Sequence, residues 1–178
     1  NMESKQIKIS VVIPVYNEKK TFITLMDRVL AKKLDSVEKE IIIIEDNSKD
    51  GTRKDVLKYK NNKCVKIILH DKGHGKGFAV RAGLKAATGD FVLIQDADLE
   101  YDIDDYDELL KPLIHYRKAF VLGSRHSNGI KMRHFADQPQ ISLILNLAQI
   151  IFTSMINIFC GSRLKDPFTM YKVFRRDC

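Results

Sequence analysis

Four places in this 178-residue sequence carry side chains able to do chemistry, and each follows a short apolar run. The sharpest is Asp96-Ala97-Asp98-Leu99-Glu100, directly after Phe91-Val92-Leu93-Ile94-Gln95. In an extended chain, period-2 spacing puts Asp96, Asp98 and Glu100 on one side. Three hard oxygen donors there suit Mg2+ or Mn2+, which take a few carboxylates and fill their shells with phosphate and water. Carboxylates crowded at the end of an apolar strand repel one another unless a cation offsets the charge. The acidic stretch that follows, Asp102 to Asp107, reads instead as a solvated loop.

A second cluster is Glu45-Asp46-Asn47-Ser48-Lys49-Asp50-Gly51. Asp50 suits a helix N-cap, but four carboxylate or amide side chains exceed what a cap needs. Such groups can accept hydrogen bonds from a nucleotide's base or ribose. The third segment, His70-Asp71-Lys72-Gly73-His74-Gly75-Lys76-Gly77 with Arg81 beyond it, combines glycines with a helix start, a combination that favours an anion. It matches neither the dinucleotide fingerprint, which needs glycine where Phe78 stands, nor the P-loop. The fourth, Pro14-Val15-Tyr16-Asn17-Glu18, reads alone as a strand stop and a helix start. The five histidines have no metal-ligand spacing, and no G-x-S-x-G serine elbow is present.

The elements that position these residues alternate. Strands are expected over 7–13, 40–44, 65–69, 91–94 and 119–122. Helices are expected over 21–31, 51–60, 77–87 and 106–116. Alternation of this kind predicts an α/β fold, a mostly parallel sheet with helices on both faces. Ligands of such sheets sit outside the carboxyl ends of the strands, where all four clusters fall. From Ile141 to Cys160 no residue is charged, yet Ser142, Asn146, Gln149, Thr153 and Asn157 recur every three or four residues. That spacing gives an amphipathic helix rather than a membrane span. It packs on the core or lies in a membrane interface, flanked by Arg125, Lys131, Arg133, Arg163 and Lys165.

Composition narrows the class. Hydrophobic residues make up 44% and charged residues 30%, an ordinary globular mixture. The net charge of +7 is unevenly spread: nine acidic and no basic residues lie between Asp90 and Glu108, and eleven Lys/Arg against three Asp follow. A uniformly basic nucleic-acid binder would not carry that acidic block; the split fits a cation site beside an anion-facing surface. Three scattered cysteines without a C-x-x-C pair, and no signal-like segment, lead us to expect a reducing compartment. The chain ends after Arg175-Arg176-Asp177-Cys178 without a turn signal, so a truncated domain over 2–178 is expected.

Together, VVIPVYNE, EDNSKDGT, GKGFAVRAG, the D-x-D of DADLE, Gly123-Ser124-Arg125 and Lys165-Asp166-Pro167 resemble, in order, a family 2 glycosyltransferase of GT-A fold. The nearest likeness is to the dolichyl- or polyprenyl-phosphate sugar synthases. The resemblance implies that Pro14, Tyr16, Asn17, Glu18 and Asp46 line a base and ribose pocket, with Asp50, Lys76 and Arg81 near the nucleotide. It implies Asp96, Asp98 and Glu100 on a Mg2+ or Mn2+ ion, Arg125 on phosphate and Asp166 near the reaction centre. The implied reaction is inverting, metal-dependent sugar transfer from a UDP- or GDP-sugar to a polyprenyl phosphate at the cytoplasmic face of a membrane. Two departures stand out: Met170 replaces a common glycine, and Gln138 and Gln140 stand where a basic residue usually precedes Ser142, leaving Arg133 for that role. A glycan hydroxyl acceptor, with Asp166 as base, and a catalytically silent nucleotide-binding module stay open as alternatives.

Overall fold

The computed structural model describes residues 6–116, 118–123, 139–160 and 171–177. In chain order the elements are β1 (Ile7–Val15), α1 (Phe22–Ala31), β2 (Val37–Glu45), α2 (Thr52–Leu57), β3 (Val65–Leu69), α3 (Lys76–Ala86), β4 (Phe91–Ile94), a 3₁₀ turn (Ile103–Asp105), α4 (Tyr106–His115), β5 (Phe120–Leu122), α5 (Pro139–Cys160) and β6 (Lys172–Arg175). The strands form one sheet in the order β3-β2-β1-β4-β6-β5. β1, β2, β3 and β4 pair in parallel, and β6 runs antiparallel to β4.

The central strands are apolar on both faces because both are covered, as a parallel sheet requires. Ile9, Val11, Ile13, Ile41, Ile43 and Leu93 pack with α1 (Phe22, Leu25, Met26, Val29) and α4 (Leu109, Leu110, Leu113). Their neighbours Val12, Ile42, Ile44 and Val92 turn the other way and pack with Ala79 of α3. The small residues of α3 have a steric cause. A Cβ built on Gly83 would stand 2.3 Å from Val12 Cγ1 and 2.7 Å from Ile44 Cδ1, so only glycine lets the helix lie this close.

Three features depart from expectation. β1 does not stop at Pro14 but runs through it to Val15. The proline is tolerated because Gln95 N–H, just past the end of β4, donates to Val12. Two residues on, Pro14 therefore aims its missing donor where β4 has already ended. α2 has only 6 residues. β6 was not anticipated: it buries Val173, and the residue before it, Tyr171, against the core, and Phe174 stacks on Phe120 with centroids 5.9 Å apart.

The chain divides into two compact units, Asn1–Val121 with Met170–Cys178, and Leu122–Thr169. The second contains α5. Asn146 is buried and Gln149, Thr153 and Asn157 are half-buried, whereas Leu147, Ile150, Ile151, Phe152, Met155, Ile158 and Phe159 are exposed. The helix thus covers its polar stripe and turns its apolar side outward. No helix among the described residues is long and apolar enough to cross a membrane.

Candidate functional site

Parallel order brings the carboxyl ends of β1, β2 and β4 together, and a cavity of about 500 Å³ opens there. Pro14, Tyr16, Glu18, Asp46, Lys76, Asp96 and Asp98 line it, together with Gly73, Gly75 and the backbone around them. Seven of the residues singled out by sequence therefore meet in one place. Tyr16 lines the cavity and is 53% exposed.

Asn17 and Asp50 serve the cavity from behind rather than lining it. Asn17, at φ 56°, donates its N–H to Ser48 Oγ (3.0 Å) and accepts from the Lys49 N–H (2.8 Å). Asp50 accepts from the Thr52 N–H and hydroxyl at 3.0 and 2.5 Å, and from the Lys19 N–H at 3.0 Å. Desolvation acts to raise the Asp50 carboxyl, but the bonds from Thr52 and from the Lys19 amide together hold it below the usual carboxylate value. The two residues lace the loop after β1 to the loop after β2. Glu18 accepts from the Thr21 hydroxyl at 2.9 Å, fixing the entry to α1.

Asp46 is the hub of the site. Its carboxylate accepts from His70 Nδ1 (2.7 Å), the His74 N–H (3.0 Å) and the Gly75 N–H (2.8 Å). Burial works to raise its pKa, and these donors more than offset it, so the group stays ionised below the normal range. Gly75, at φ 85°, makes the turn that starts α3. Behind Asp46, fully buried Glu45 pairs with Arg53, whose guanidinium also donates to the His70 carbonyl. The His70 ring meets His74 and Phe78 edge-on, while those two stack at 4.3 Å. Neither His70 nor Arg53 is a candidate by residue type: the histidines lack metal-ligand spacing, and an arginine in a polar helix reads as solvated. The signal available was position: His70 directly follows β3, like the other site residues.

The D-x-D segment corrects the sequence reading. The chain does not stay extended past β4: it turns at Ala97-Asp98, and Leu99 takes φ 63°. Asp98 accepts the Glu100 N–H at 3.1 Å, and exposed Glu100 does not line the cavity. Period-2 alignment of Asp96, Asp98 and Glu100 therefore fails, and no group of three or more His, Cys, Asp or Glu among the described residues could hold a metal alone. Asp96 and Asp98 do reach the cavity together. Asp96 Oδ1 is the only buried side-chain oxygen or nitrogen among the described residues without a hydrogen bond. Lys76 Nζ stands 2.7 Å from it as a counter-charge outside hydrogen-bonding alignment, on a side chain half exposed to solvent. Two carboxylates at the cavity, one of them now held by the Lys76 ammonium, fit an ion that takes one or two carboxylates and completes its shell from phosphate. Arg81 is exposed and does not line the cavity. Arg125, Arg133 and Asp166 lie outside the described residues.

Comparison with known proteins is consistent with this geometry. Residues 10–178 match the model of the family "Glycosyl transferase family 2". The chain is 29% identical to the dolichyl-phosphate beta-glucosyltransferase ALG5C of Trichomonas vaginalis, over 97% of this chain and 53% of that protein. It is 30% identical to the undecaprenyl-phosphate 4-deoxy-4-formamido-L-arabinose transferase of Photorhabdus laumondii, over 98% and 51%. The chain thus spans about half the length of the curated relatives it matches. The fold is that of GT-A enzymes. Glucosyl-3-phosphoglycerate synthase from Mycobacterium tuberculosis, solved with Mn2+, UDP and phosphoglyceric acid, superposes with a TM-score of 0.70 at 18% identity, over 96% of this chain and 56% of that one. Sheet order, strand-end motifs and these likenesses agree, and the chain belongs to glycosyl transferase family 2.

Proposed function

We propose that this chain is the donor-binding part of an inverting glycosyltransferase that moves a sugar from a UDP- or GDP-sugar to a polyprenyl phosphate. The observation that carries the reading is the cavity at the carboxyl ends of β1, β2 and β4, where Asp96, Asp98 and Lys76 meet beside an ordered glycine loop. Tyr16 offers a face on which a base stacks, and Asp46 holds the loop whose glycines let a phosphate approach. Mg2+ or Mn2+ on Asp96 and Asp98 would stabilise the charge that develops on the departing diphosphate.

This chain's own groups carry the rest. Lys76 leaves Asp96 for the diphosphate, supplying fixed positive charge where negative charge grows. Arg125 neutralises a phosphate of donor or acceptor. A lipid phosphate is already an anionic nucleophile and needs no base to activate it. The lipid acceptor is favoured by the activities for which the two relatives are named and by the outward apolar face of α5, which suits the interface of a membrane. The reading places the protein peripherally on a membrane's cytoplasmic face.

The test is release of nucleoside diphosphate from UDP-glucose or GDP-mannose with Mn2+, with and without a short polyprenyl phosphate. Release that depends on the lipid phosphate is expected. Release that depends instead on a glycan would move the acceptor to a hydroxyl. Binding without release would make the chain a silent nucleotide module.

A further inference from the structure

The loop that carries Asp96 and Asp98 rests on two buried polar side chains that no feature of catalysis explains. Gln95 and Tyr106 are both 0% exposed. The Tyr106 hydroxyl donates to Gln95 Oε1 at 3.1 Å, and Gln95 Nε2 donates to the Asp96 carbonyl at 3.0 Å. The Gln95 N–H closes the last rung from β4 to β1, on Val12. Two hydrogen bonds therefore run from helix α4 through Gln95 to the peptide of Asp96, and a third ties Gln95 to β1. Further along, the Tyr171 hydroxyl donates to the Asp102 carbonyl at 2.6 Å, and Tyr101 stacks on Tyr171 at 4.7 Å. Between these two anchors lies Leu99, in a left-handed conformation that a leucine rarely adopts.

A buried glutamine amide and phenol cost desolvation that apolar side chains of similar size would not. Satisfied, such a pair defines one arrangement of the backbone. We infer that Tyr106 and Gln95 are positioning residues that fix the Asp96 peptide, and through it the direction in which Asp96 and Asp98 present their carboxylates to a divalent ion. The inference rests on the donor-site reading given above. Groups that orient metal-binding side chains without touching the ion change its affinity by about 10–100-fold when removed, so the effect is measurable on binding alone.

The experiment is a Mn2+ titration followed by electron paramagnetic resonance, with UDP and then GDP present, on the parent chain, Tyr106→Phe, Gln95→Leu, the double variant, and Leu113→Ala. Leu113 is a buried residue of the same helix without a polar group and serves as the stability control. Tyr106→Phe and Gln95→Leu are expected to weaken Mn2+ by about tenfold. The double variant is expected to be no weaker than Gln95→Leu, because both act through one chain of contacts. Leu113→Ala should lower the melting temperature and leave Mn2+ affinity unchanged. Parental affinity in both relay variants overturns the inference and leaves the donor site standing, as does equal weakening in Leu113→Ala. Absence of Mn2+ binding by the parent chain with either nucleotide overturns both.

Discussion

Asp46 spends its carboxylate on three donors from one loop, His70 and the amides of His74 and Gly75. Asp46→Ala leaves those donors unpaired near the bottom of the cavity, a cost of about 1–3 kcal/mol. Urea unfolding should register that loss, and nucleotide binding should weaken with it, whereas a Tyr16→Ala chain should lose nucleotide binding alone. Lys76 makes a different prediction. Its ammonium competes with any cation for Asp96, so Lys76→Gln should tighten Mn2+ in the absence of nucleotide by roughly tenfold while weakening the nucleotide. Calorimetry of Mn2+ binding decides, and unchanged affinity would show that the lysine does not compete. At this scale the sequence was informative about residue type and place. Seven nominated residues share the cavity, yet Asn17 and Asp50 brace loops and Arg81 faces solvent. Glu100 was misjudged because nothing in Asp98-Leu99-Glu100 signals the left-handed turn; a glycine or asparagine there would have.

At the scale of elements, the apolar runs at β3 and β4 were legible to the residue, since four- or five-residue runs bounded by polar clusters allow few alternatives. β6 was not, because a four-residue antiparallel strand takes its identity from the sheet it joins rather than from its own pattern. The helix expected over 51–60 spans only Thr52–Leu57, and Val56 is the one apolar side chain of it that reaches the core; its other buried residues, Thr52 and Asp55, are polar. α5 was recognised as amphipathic, but its orientation was not readable: hydrophobic spacing gives a face and not what the face meets. Ile158 and Phe159 are 78% and 81% exposed. Replacing both by glutamate should therefore change stability by less than about 1 kcal/mol and abolish sedimentation with anionic lipid vesicles. A large drop in stability with unchanged vesicle binding would show that this face is covered by protein.

For the molecule as a whole, the end of the sheet opposite the cavity sets the acid limit. Burial acts to raise Glu40, but the Ser10 hydroxyl, the Thr88 N–H and hydroxyl, and Lys8 outweigh it and bring the carboxyl to about 2. A depressed folded-state value means stability that is present above the normal carboxylate range and lost as pH falls from about 4.5 toward 2. The shift corresponds to on the order of 3 kcal/mol at most. Melting temperature should fall steeply across that window, and Glu40→Gln should start lower and flatten the slope. Equal slopes would remove Glu40 from the account. The division of charge seen in the sequence, an acidic block around the D-x-D turn and a basic later half, belongs to this scale too. The acidic block falls wholly within the sheet-forming unit, and the basic residues of the later half are shared between the two units.

The central claim is that a nucleoside diphosphate and a divalent ion bind together at Asp96 and Asp98. Thermal melts of the parent chain and of Asp98→Ala, with UDP or GDP, each with and without Mn2+, test it directly. Ligand at about a hundred times its dissociation constant adds roughly 2.7 kcal/mol, or about 5–10 °C for a chain of this size. The account predicts that rise for one nucleotide, in the parent chain, only with Mn2+. The same rise without Mn2+, or one that survives in Asp98→Ala, would contradict it.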